Sequence, residues 1–212
     1  MPLIQTAGLN LNVKNQLGTG NNNGLPSGGA NELVISELLA KYSTLVKAGK
    51  VFQAYSALTA PVIFSTAAGT GGPLIWNKPN SGVEAHILAV SFSSSVVTTV
   101  AGGLGFTGNA GQSTAPTTTT AITASGSTYI GGQVSQMGGV YNVGTVANAG
   151  AVFMPFAQFH TGALTVDTTA VTWIDIGGAI IIPQGSWGSV AASATLTTLQ
   201  VGVNVIWAEL PA

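Results

Sequence analysis

Charge is nearly missing from this chain. Eleven charged side chains, five lysines and six carboxylates, serve 212 residues, and there is no arginine. An ordinary soluble domain is about 25% charged; here the figure is 5%. A domain of this mass exposes roughly 9,000 Å² by the usual surface scaling, and so few charges cannot cover that area. Neutral Ser, Thr, Asn, Gln and Gly must cover it, or other protein must. A positive mean hydropathy favours the second, because large exposed apolar patches mark interaction sites.

Several classes fall away on the same grounds. No run of about 18 residues is apolar throughout, as a spanning helix requires. The most apolar runs, Gly178 to Pro183 and Val201 to Trp207, are short and rich in β-branched residues, and no aromatic girdle suggests a membrane barrel. We expect no membrane partner. Met1 to Asn10 carries no basic stretch followed by an apolar core, so no secretory leader is expected. Cysteine is absent, which removes disulfides and thiolate metal sites and suits a chain made in a reducing cytoplasm. A net charge of −1 and the lack of arginine give no drive toward nucleic acid. The many Val, Ile, Leu and Phe residues argue against disorder for the bulk of the chain.

Three regions follow one another. Residues 1–30 are rich in Asn and Gly, as in Gly18-Thr19-Gly20-Asn21-Asn22-Asn23-Gly24, which suits neither helix nor strand interior. They read as an extended or flexible N-terminal arm, with Leu9, Leu11 and Val13 alternating as a short strand would. Residues 31–50 read as one short helix. Leu38, Leu39, Tyr42, Leu45 and Val46 share a face, Glu37 and Lys41 stand four apart, and Gly49 suits the C-terminal cap. Five of the eleven charges lie there.

Residues 51–212 read as a β-sandwich of jelly-roll type. Expected strands are 51–58, 61–65, 84–100, 128–133, 151–159, 171–182, 186–192 and 199–210, separated by Gly, Asn, Ser and Pro clusters. Residues 115–128, nearly all Thr, Ala, Ser and Gly, suit a surface loop or an edge ribbon. No fixed-period repeat marks a solenoid.

Candidate chemistry is thin. Glu84 and His86 stand two apart on one strand face, but a metal site needs further ligands, and the other histidine, His160, has no evident partner. Asp167, Asp175, Glu84 and Glu209 could be paired as acid and base, yet nothing local supports a cleft, and Asp167 looks like a turn residue. Ser186, in Gly185-Ser186-Trp187-Gly188, lacks the spacing of a nucleophile elbow. Gly102-Gly103-Leu104-Gly105 lacks the helix and lysine of a phosphate cradle. Trp76, Trp173, Trp187 and Trp207 read as core or interface packing. No catalytic, cofactor or metal residue is therefore expected, and no enzyme. In Ile182-Pro183-Gln184-Gly185 a hydrophobic strand runs into a Pro-x-Gly turn, read here as a hairpin corner.

The stretch Glu32-Leu33-Val34-Ile35-Ser36-Glu37-Leu38-Leu39-Ala40-Lys41-Tyr42, followed by Gly49-Lys50-Val51-Phe52, resembles a family of small tailed-bacteriophage structural proteins. So do the Ile-Pro-x-Gly corner and the closing Trp207-Ala208-Glu209-Leu210-Pro211. The resemblance covers roughly residues 31 to 212. It implies a jelly-roll head-decoration, or cement, protein: a homotrimer on the outside of a phage capsid, with itself and the major capsid protein or other virion subunits as partners. It brings no catalytic or binding residues. The alternative is a receptor- or glycan-binding fibre or spike-type virion protein. That role would use loops such as 105–127, with Trp76 or Tyr129 as the platform. A glycan hydrolase is the enzyme reading, and it finds no carboxylate cluster.

Overall fold

The computed structural model describes residues 41–65, 70–94, 100–122, 124–128, 130, 132–159, 171–196 and 200–212. The expected arm, the short strand over Leu9 to Val13 and the start of the helix lie outside them, as do Tyr129, His160 and Asp167. The chain divides into Met1–Thr44 and Leu45–Ala212.

The helical segment ends as α1, Ser43–Lys47, three residues earlier than expected. Gly49 takes φ +68°. Its N–H donates to the Val46 carbonyl and the Lys50 N–H to the Leu45 carbonyl, each at 2.9 Å. This paired closure satisfies carbonyls that the last helical turn leaves open. Lys50 then hands the chain to the first strand.

Eleven strands follow: β1 Val51–Thr59, β2 Thr70–Asn77, β3 Val83–Ser94, β4 Gly102–Ala110, β5 Thr117–Ala121, β6 Ala124–Ser127, β7 Gly139–Thr145, β8 Val152–Phe159, β9 Thr172–Ile182, β10 Ser186–Ala192 and β11 Val201–Pro211. Four antiparallel ladders join strands far apart in sequence: β1 with β11, β2 with β10, β3 with β9 and β4 with β8. Together they amount to one long ribbon. Rolling the ribbon adds the pairs β11 with β3 and β10 with β4. The result is two sheets, ordered β6-β1-β11-β3-β9 and β5-β7-β2-β10-β4-β8. This is the jelly roll, as expected, with β5 to β7 inserted between its fourth and fifth strands.

The core lies between the sheets. Phe52, Ile87, Val90, Val203, Val205 and Trp207 from the first sheet meet Ile75, Leu104, Phe106 and Val190 from the second. Inward residues recur every second position, as the pleat requires, except where the register shift between Ile87 and Ala89 sets Ile87 and Val90 three apart. Phe92 and Phe156 join the sheets through a tilted ring pair at 5.9 Å. A smaller cluster of Leu74, Val146 and Trp187 is also buried. Beside it Gln112, 2% exposed, uses every polar group. Its N–H donates to Gly185 O, its carbonyl accepts from Trp76 Nε1, its Nε2 donates to Thr114 O and its Oε1 accepts from Ala147 N–H.

Several strand expectations need correcting. Residues 61–65 form no strand; Ile63 makes an isolated parallel bridge to Ala192. The described part of 128–133 is not strand either; of the expected 84–100, the strand is described as Val83–Ser94, and 95–99 lie outside the described residues. The Thr-rich stretch is edge ribbon, forming β5 and β6. The strands β2, β4 and β7 were not expected, because their glycines read as breaks.

The Pro-x-Gly corner is also not a hairpin. β9 and β10 belong to different sheets, so the turn carries the chain from one layer to the other. Gly185 takes φ +69°, its N–H donates to Asn77 O at 2.8 Å, and Asn77 Nδ2 holds Val83 O and Ile182 O. The corner is thus tied into both layers.

Candidate functional site

Two surfaces stand out once the fold is known. The insertion β5 to β7 extends both sheets beyond β1 and β2, so the outer strands on the opposite side are β8 and β9. There Val152 is 65% exposed, Met154 44% and Ile181 47%. A groove of about 320 Å³ runs along this side, lined by Phe106, Ala110, Val152, Ile181, Pro183 and Trp187 among others. Large apolar side chains seldom gather in water without a partner.

The second surface is the outer face of the first sheet. Register places Tyr55 opposite Asn204, Asn204 opposite Ser91, and Ser91 opposite Trp173. Directly opposed residues share a face, so the four form one row across β1, β11, β3 and β9. The two aromatic ends are exposed, Tyr55 at 42% and Trp173 at 58%. Beside Tyr55 lies a hollow of about 330 Å³ lined by Gln53, Ser91, Ser93, Val171, Gly202 and Asn204 among others, with Trp173 outside its lining. The carboxamide oxygen of Asn204 is buried and accepts no hydrogen bond among the described residues. A methyl group at Gly202 would come within 2.8 Å of the Tyr55 hydroxyl and 3.3 Å of Ser93 Oγ. The missing side chain at 202 therefore lets the phenol lie across the sheet.

The residues singled out from sequence fall into place around these surfaces. Glu84 Oε2 and His86 Nε2 are 3.7 Å apart and partly exposed. Among the described residues no three His, Asp or Glu side chains gather. Asp175 is exposed on β9, two residues from Trp173. Ser186 is buried at the start of β10, and Gly102 to Gly105 are buried within β4. Trp76, Trp187 and Trp207 are buried, whereas Trp173 stands out in solvent.

Glu209 is 2% exposed and does structural work that the sequence did not announce. Its Oε1 accepts from Ser135 Oγ and, at 3.3 Å, from Trp207 Nε1, while its Oε2 accepts from the Gln136 N–H at 2.9 Å. Trp207 in turn stacks on Phe52 at 6.0 Å. The Trp-x-Glu of the last strand thus pins the loop before β7 to the core. The spacing of two, which puts both side chains on one strand face, was the signal available. What it lacked was the loop.

Among the described residues, no helix is long and apolar enough to cross a membrane. Comparison with protein-family models, with curated proteins and with solved structures returns no match.

Proposed function

We propose that this chain is a structural virion protein, a decoration or cement protein that stabilises a phage head. Its β-domains would meet one another, as a homotrimer, and its N-terminal arm would reach the major capsid protein or another virion subunit. The observation that carries this reading is the apolar side at β8 and β9, on a domain with almost no charge to keep copies apart. From Val51 onward the charged residues are Lys78, Glu84, Asp167, Asp175 and Glu209, and Glu209 is buried. Copies therefore meet with little electrostatic repulsion, and apolar contact along the groove outweighs what remains. The resemblance carried by residues 31 to 212 points the same way.

Light scattering on the purified chain tests the first half: a trimer mass is expected, and a monomer at all concentrations counts against it. Adding the protein to phage heads that lack it tests the second half. Heads should bind it and melt at a higher temperature. Heads that neither bind it nor gain stability would rule the reading out.

A further inference from the structure

We infer that the outer face of the first sheet is a carbohydrate-binding site that takes a neutral oligosaccharide across the row Tyr55, Asn204, Ser91 and Trp173. This goes beyond a building role in a particle and does not depend on it.

The chemistry of the row selects the ligand. Sugars present patches of C–H on their ring faces and hydroxyls around the rim. Exposed Tyr and Trp rings offer an amphipathic surface of matching kind, and here one stands at each end. The hollow beside Tyr55 offers groups that both give and accept hydrogen bonds, the amides of Gln53 and Asn204 and the hydroxyls of Ser91 and Ser93, next to the apolar Val171. A buried acceptor without a donor is unfavourable, and the Asn204 oxygen is one. A turn of the Asn204 side chain would present it to a sugar hydroxyl in the hollow.

Other ligands fit less well. β1, β3, β9 and β11 carry no lysine, so nothing on this face attracts a sulfated or sialylated glycan or a nucleic acid. An apolar protein surface laid here would leave the Asn204 and Gln53 amides unpaired. Three strand spacings of about 4.8 Å separate the two aromatic strands, which suits a chain of sugars rather than a single one.

The protein, titrated with neutral glucan, mannan and galactan oligosaccharides, tests this by tryptophan fluorescence and saturation-transfer NMR. At least one neutral series should bind, and Trp173→Ala and Tyr55→Ala should each weaken it tenfold or more with the melting temperature unchanged. Gly202→Ala, which displaces the tyrosine hydroxyl, should weaken it while leaving the fold intact. The site is overturned if no neutral series binds, if only acidic glycans bind, or if binding survives both aromatic replacements. It is also overturned if those replacements change the oligomer mass instead, for then the face lies between copies. Association of Trp173→Ala with heads reports separately on the building role.

Discussion

At the residue scale, Glu209 shows how one polar side chain can hold a loop. Replacing it with Ala leaves the Gln136 N–H without its acceptor and the Trp207 indole N–H unpaired. The indole N–H is buried and the Gln136 N–H partly so, and an orphaned buried donor costs about 1–3 kcal/mol. We expect Glu209→Ala to destabilise the protein by roughly 2–4 kcal/mol, read as a lower urea midpoint. Amide exchange at Gln136 and Met137 should accelerate well beyond that of β3. Equal acceleration everywhere would mean that the residue supports the whole fold rather than the loop. The same scale explains where sequence reading failed. Gly105 lies in the middle of β4, where a methyl group would come within 2.6 Å of Met154 O and 2.7 Å of the Phe153 ring. At Gly144 it would meet Leu74 at 2.7 Å. These glycines make room for bulky neighbours; they do not break strands. Apolar patterning points to β1, β3, β8, β9, β10 and β11 because their apolar residues belong to the strand itself. It missed β2, β4 and β7 because the reason for their composition sits on another strand. The aromatic row was hidden for a related cause: residues 55, 204, 91 and 173 become neighbours through register alone.

At the element scale, the two outer strands are guarded against pairing with foreign strands. β8 contains Pro155, which supplies no N–H to a new ladder. β9 carries Gly177 and Gly178 in succession at φ +64° and +85°, and its register against β3 shifts there, as at a bulge. Contact at this side must therefore run through side chains, not through sheet extension. Lysine at Val152 and Ile181 separates the possibilities. Both positions are exposed, so stability should change by no more than about 0.5 kcal/mol. If copies meet here, the double variant should fall from trimer to monomer in light scattering at unchanged melting temperature. An unchanged mass would move the contact to another face.

At the scale of the whole molecule, the scarcity of charge has a measurable signature. Proteins held or repelled by surface charge respond to ionic strength over a Debye length of about 10 Å at 0.1 M salt. Here a close pair of opposite polarity in the sandwich is Glu84 with His86. The melting temperature and the oligomer mass should both stay nearly flat between roughly 0.02 M and 0.5 M sodium chloride. A steep salt dependence would point to an electrostatic contact that the β-domain does not display. The jelly roll itself was legible from many short strands without interposed helices. The crossing of the Pro-x-Gly corner between layers was not, since a turn sequence fixes local backbone but not which sheet receives the next strand.

The strand order also sets a timetable. β11 lies between β1 and β3, so the first sheet has a gap at its centre until the last strand has been synthesised. Until then β1 and β3 lack the strand that joins them, although β6 and β9 can already pair with them, and few charges keep them soluble. Native pairing is then a late, long-range event, of the kind that folds slowly and is exposed to aggregation. The features that suit the finished domain to being covered by its neighbours would make the nascent chain dependent on the chaperones of the cell that makes it.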